Sequence, residues 1–189
     1  METAAASKLL PFCGHAVGTV YGEKGYAYIK NNAAAFRWLA TNNSGVLVLT
    51  DLRDAGSECL HMALQKYVYD KLPNPPENYI FHFSVNELES WLLADREGIA
   101  QYLEIDISRI PVLPDHETNP KECLINLARR SKRKFIREGI APPAKHRSLA
   151  GPEYVPLMRQ YIYNYWDIKN AVINSPDLRR CVNRLNKIT

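Results

Sequence analysis

The sequence predicts an α/β protein: a mostly parallel sheet flanked by helices, followed by a helical C-terminal extension. Three observations carry this. Val46 to Thr50 is a short β-branched run of the kind buried in a parallel sheet. Strand patterns alternate with segments of helical spacing through the first half. Beyond Pro120 only helical patterns remain. The expected division is an α/β domain over residues 1–115 and a basic helical extension packed on it over residues 116–189.

In chain order, residues 2–10 read as a helix. A glycine-punctuated stretch follows, with a short strand expected over Val17 to Tyr21. Asn32 to Thr41 is helical (AAAFRWLA) and Gly45 breaks it before the first buried strand. Cys59 to Leu72 has helical spacing, with Leu60, Ala63, Leu64 and Tyr67 on one face, and Pro73 to Pro76 ends it. Tyr79 to Phe83 is the second buried strand. Helices are expected over Asn86 to Ala94 and Arg96 to Leu103. Pro111 to Pro120 is a connector, and one helix is expected from Pro120 to Gly139, its proline suited to the first turn. Ala141 to Pro152 reads as a basic loop before two last helices, Glu153 to Tyr165 and Pro176 to Lys187.

The 189 residues suffice for one domain with a real core. No apolar run approaches the roughly 18 residues of a membrane span, and the first residues lack the pattern of a secretory signal. Cys13, Cys59, Cys123 and Cys181 form no C-x-x-C pair, which argues against a zinc site or a disulfide framework. They read as scattered, mostly buried thiols, so the expected location is the cytoplasm, with no membrane partner.

The net charge of +4 is unevenly spread. Lys121, Arg129, Arg130, Lys132, Arg133, Lys134, Arg137, Lys145 and Arg147 fall in one window opposed only by Glu122 and Glu138, and the rest of the chain is mildly acidic. Crowding cations between Arg129 and Lys134 destabilises a free helix by like-charge repulsion. Phosphates of a nucleic acid would neutralise them, without reading bases. A solvated helix face paired with acidic neighbours is the bland alternative.

Two acidic clusters follow the strands. Asp51 sits where the first strand leaves the sheet, followed by Arg53 and Asp54. Ligands of open α/β sheets bind at the carboxyl ends of strands, where Asp51 and Asp54 would suit Mg²⁺; each could equally cap a following turn. Glu87 and Glu89 follow the second strand and would emerge on the same edge if the strands are parallel. Ser84 with Glu87, and Asn86 with Glu89, also fit capping boxes. Trp91, Leu92 and Leu93 read as core, Asp95 as a cap for the next helix, and His82 as structural. No nucleophile elbow, P-loop or dinucleotide-binding glycine pattern is present.

The segments VYGEKGYAYIKNNAAAF, VLVLTDLRDAG, FHFSVNELESWLLADREGIAQYL, NPKECLINLARRSKRKFIREG and GPEYVPLMRQYIYNYW resemble, in order, a bacterial family of unassigned function with a TOPRIM-like (topoisomerase–primase) domain. The resemblance implies a small Rossmann-like parallel sheet. It implies a Mg²⁺ (or Mn²⁺) phosphodiesterase or nuclease acting on nucleic acid, in the setting of phage defence and beside an ATPase partner. Asp51 matches the first aspartate of the family's Asp-x-Asp pair. Asp54, Glu87 and Glu89 would share metal binding and catalysis with it. Arg129, Arg130, Lys132, Arg133, Lys134, Arg137, Lys145 and Arg147 would hold the nucleic acid. Two departures point the other way. Arg53 stands where the second aspartate would fall, and the family's first strand with its glutamate has no counterpart ahead of the first helix. The alternative is a catalytically inactive nucleic-acid-binding or regulatory subunit of an ATPase-containing system. A hydrolase of a small phosphorylated ligand is a third candidate, which would need a closed pocket instead of an open basic groove.

Overall fold

The structure, a computed structural model, describes residues 1–21, 25–42, 45–53, 59–70, 74–142 and 150–188. It is mixed α/β with a small parallel sheet. Strand β1 (Val46–Asp51) pairs in parallel with β2 (Tyr79–Ser84), in a register that sets Val46 beside Tyr79 and Asp51 beside Ser84.

Side chains alternate across this sheet, as strand geometry requires. Val48, Tyr79, Phe81 and Phe83 face one apolar cluster. There they meet Phe36 and Ala40 of a helix over Ala33–Asn42, and Ala63 and Val68 of a helix (Leu60–Leu64) that runs into a wider π turn (Gln65–Tyr69). Leu47, Leu49 and Ile80 face the larger cluster. Both faces of the sheet are therefore covered, which is why neither strand reads as cleanly amphipathic.

The larger cluster is built from helices. We number the helices that form it or flank the site α1 (Glu2–Phe12), α2 (Glu87–Ala94), α3 (Arg96–Leu103), α4 (Pro120–Ala128), α5 (Lys134–Ile140), α6 (Tyr154–Asn164), α7 (Ile168–Asn174) and α8 (Pro176–Leu185). Helix α2 is its axis: Leu88, Trp91, Leu92, Leu93 and Ala94 are all fully buried. It packs against α4 and α7, while α1 lies against β1 and α6, and α8 against β2. Residues from both sides of the expected boundary at 115 and 116 thus share one core. Among the described residues no helix is long and apolar enough to cross a membrane.

Four expectations need correction. Residues 17–21 are irregular and exposed, not a strand. The single helix expected from Pro120 to Gly139 is broken between α4 and α5. Arg133 is extended there (φ −78°, ψ 110°), Ser131 Oγ accepts the Arg133 N–H at 3.1 Å, and Arg137 donates to the Ser131 carbonyl at 2.6 Å. A turn spreads cations that a continuous helix would stack. Helix α7 has no counterpart in the elements expected from sequence; Asp167 starts it by accepting the N–H groups of Lys169 and Asn170. None of the four thiols is in a disulfide, but only Cys181 is fully buried and Cys59 is exposed.

Candidate functional site

The parallel register brings Asp51 and the start of α2 to one rim of the sheet. At this rim each described carboxylate already has protein partners. Asp51 accepts from Ser84 Oγ and from the Leu88 N–H at 3.1 Å. It therefore caps α2, a helix remote in sequence, instead of the turn that follows it. Neither capping box forms. Ser84 is committed to Asp51, and the Asn86 side chain donates to the Asp115 carbonyl and does not cap α2.

Glu87 has a left-handed backbone (φ 63°). Its carboxylate takes the Arg53 guanidinium at 3.1 Å and the Lys121 N–H at 3.1 Å, so it caps α4. Arg53 also donates to Asn119 Oδ1 at 3.3 Å and to the Thr118 carbonyl. A guanidinium thus occupies the rim between β1 and α4.

Glu89 is 3% exposed and accepts the Tyr154 hydroxyl at 2.6 Å. Burial lifts its carboxyl above the ordinary range; the Tyr154 hydrogen bond pulls part of this back, and the charge of Glu87 adds to it. Burial and the charge of Glu89 likewise push the Tyr154 phenol up. A raised carboxyl favours folding below its unfolded value of about 4.3, and that contribution is lost as pH rises through the folded value. Glu89→Gln keeps an acceptor for Tyr154 and carries no charge. Its urea midpoint is expected to exceed the wild type's at neutral pH, and the gap to close as pH falls through the raised folded value and to be gone below about 4. A gap that widens on acidification would refute the assignment.

Among the described residues no three His, Cys, Asp or Glu side chains are grouped so as to hold a metal ion. Asp51, Glu87 and Glu89 do not fit Mg²⁺, which needs charged, open oxygens. Glu89 is buried on a phenol, Glu87 is neutralised by Arg53, and Asp51 caps a helix. Asp54 lies outside the described residues.

Comparisons with protein-family profiles, curated proteins and solved structures found no match to this chain.

The basic window divides into cations with charged or carbonyl partners in the protein, one of them (Lys134) exposed, and exposed cations at the turn. Arg133 is ion-paired to Glu104 at 2.6 Å, Lys134 to Glu138 at 3.9 Å, and Arg137 is spent on the Ser131 carbonyl. Arg129, Arg130 and Lys132 are exposed at the turn after α4. Among the described residues Arg129 bonds only the neutral Asn126, at 2.7 Å. Lys145 and Arg147 lie outside the described residues. Beside the turn is an open depression of about 550 Å³, lined by Arg130 with Arg109, Thr118, Asn119, Glu122 and Asn126 among others.

Sequence patterns alone place Lys121 only in the basic window and miss its contact with Tyr154, whose ring centre lies 5.1 Å from the ammonium, and miss Tyr154 itself. No local pattern ties either residue to Glu87 or Glu89. The links run between α2, α4 and α6 and exist only once these helices pack.

Proposed function

We propose that this chain is a nucleic-acid-binding protein that grips the phosphate backbone through Arg129, Arg130 and Lys132 and does not cleave it with a metal ion at the carboxylate rim. The observation that carries the reading is the pairing of Arg53 with Glu87 at 3.1 Å. It places a fixed cation where Mg²⁺ chemistry would need a second acidic ligand. The exposed cations at the α4–α5 turn supply the other half, since unpaired surface charge is free to meet phosphate. On this reading the TOPRIM-like, Rossmann-like relationship concerns the scaffold, with the rim serving structure.

The test is fluorescence anisotropy with short single- and double-stranded DNA and RNA, in EDTA and in Mg²⁺. Binding is expected to be independent of Mg²⁺ and to weaken with salt. Replacing Arg129, Arg130 and Lys132 by glutamine should weaken it at least tenfold. The log–log salt slope should become shallower by up to about 0.9 for each phosphate no longer neutralised. Arg53→Gln should leave binding nearly unchanged. Metal-dependent cleavage that disappears in Asp51→Ala would overturn the proposal, as would binding indifferent to the triple substitution.

A further inference from the structure

The two strands of the sheet do not share the same fate at their outer edges. In the ladder, the Val46 N–H donates to the Asn78 carbonyl and the Leu52 N–H to the Ser84 carbonyl. Alternation along a parallel pair then turns the backbone groups of Val46, Val48 and Thr50 toward β2, and those of Leu47 and Leu49 outward. On β2 two of the outward groups are answered: the Phe81 carbonyl accepts Arg184 Nη1 at 2.7 Å, and the Tyr79 N–H donates to the Pro76 carbonyl at 2.9 Å. All six β2 residues are buried.

On β1 only Val48 and Thr50 are buried, and the remaining four residues are half-exposed. No hydrogen bond to the outward groups of Leu47 or Leu49 is present among the described residues. The edge carries none of the usual protections: from Val46 to Thr50 there is no charge, proline or glycine. It is an apolar strand with its ladder open.

We propose that this edge pairs with β1 of a second copy of the chain, antiparallel about a two-fold axis at Val48. When one edge meets its own copy around a two-fold, the strands must run antiparallel. An axis at Val48 sets Leu47 opposite Leu49 of the partner and Leu49 opposite the partner's Leu47. Both are pairs that exchange N–H and C=O in the narrow antiparallel ring, so the outward groups of both leucines are satisfied in each copy. Opposed residues share a face of the sheet, so the two larger cores lie on one side and the two smaller on the other. Asp51 is placed opposite Gly45, which keeps like charges from facing each other. The product is a four-stranded sheet, β2–β1–β1–β2, in place of a two-stranded one of marginal intrinsic stability.

The experiment uses the full chain. Wild type is expected to sediment as a dimer. Leu49→Pro deletes an outward donor and none of the β1–β2 ladder bonds, at the cost of one half-buried leucine side chain, and should yield a folded monomer with wild-type circular dichroism. In a Cys59→Ser background, Val48→Cys should form a covalent dimer under mild oxidation. A wide antiparallel pair puts Cα atoms about 4.5 Å apart, within disulfide range. Leu49→Cys should form none, because it faces Leu47. Three outcomes overturn the inference: a monomeric wild type, a dimer that persists in Leu49→Pro without Val48→Cys linkage, or linkage through Leu49→Cys instead. If Leu49→Pro does not fold, the two cysteine variants decide the matter alone.

Discussion

Asp95→Ala is expected to lower the stability of this protein by on the order of 4 kcal/mol, among the largest losses available to a single polar substitution. Asp95 is fully buried and its carboxylate is the meeting point of three elements. Oδ1 accepts the Gly98 N–H at 3.1 Å and caps α3. Oδ2 accepts the Tyr161 hydroxyl at 2.9 Å and the Asp167 N–H at 2.8 Å, tying in α6 and the start of α7. Alanine removes a cap, at about 1 kcal/mol, leaves the buried Tyr161 hydroxyl with only the long Leu92 carbonyl contact at 3.5 Å, and takes the acceptor from the part-buried Asp167 N–H, at roughly 1–3 kcal/mol each. For a chain of this length the melting temperature should fall by roughly 10 °C. The packing around the carboxylate gives an independent check. A Cβ added at Gly98 would lie 2.0 Å from Asp95 Oδ2, so Gly98→Ala must displace the same carboxylate and should reproduce much of the loss. If Asp95→Ala and Gly98→Ala each cost under about 1 kcal/mol by urea denaturation, the three-way joint is not a major support.

Asp177→Ala is expected to cost about 3 kcal/mol and to change the acid limb of the stability profile. Asp177 is 3% exposed. It accepts the Val85 N–H at 3.2 Å, the Trp91 indole N–H at 3.0 Å and Arg180 Nη2 at 2.9 Å. His82 Nε2 lies 3.5 Å from the same carboxylate. Truncation orphans the indole and the amide, each roughly 1–3 kcal/mol. Burial on its own would raise the carboxyl of Asp177. Contacts with His82, the Val85 amide and the Trp91 indole outweigh it and hold the group below its ordinary range. A depressed carboxyl stabilises the fold fully above the unfolded value of about 3.9, and this is lost as pH falls through the folded value. Wild type should therefore lose stability on acidification below about pH 4, and Asp177→Asn should lose less over the same interval. Parallel acid limbs for the two proteins would show that Asp177 is not the group responsible.

These two residues show where reading along the chain succeeds and where it stops. The role of Asp95 as the cap of α3 was legible from its place before Arg-Glu-Gly, because capping is a local contest for a few nearby N–H groups. Its bonds to Tyr161 and Asp167 were not, because they arise from packing of distant helices. Asp177 gave no signal beyond sitting at a helix start. The same contrast separates the residues of the rim. Parallel strands would put Asp51 and Glu87 on one edge, and they do. What those carboxylates bind there depended on Arg53, Lys121 and Tyr154, which reach the rim from three different segments.

The sequence by itself determined the two strands, most of the helices and the burial of Trp91, Leu92 and Leu93, since periodicity, caps and apolar runs act within a few residues. Only the tertiary structure decided that the basic helix breaks, that Arg133 and Arg137 are tied to Glu104 and Ser131, and that Asp51 caps a remote helix. Hydrogen bonds and ion pairs form at contact distance, and for these groups that distance is set by how separate helices pack, not by their spacing along the chain.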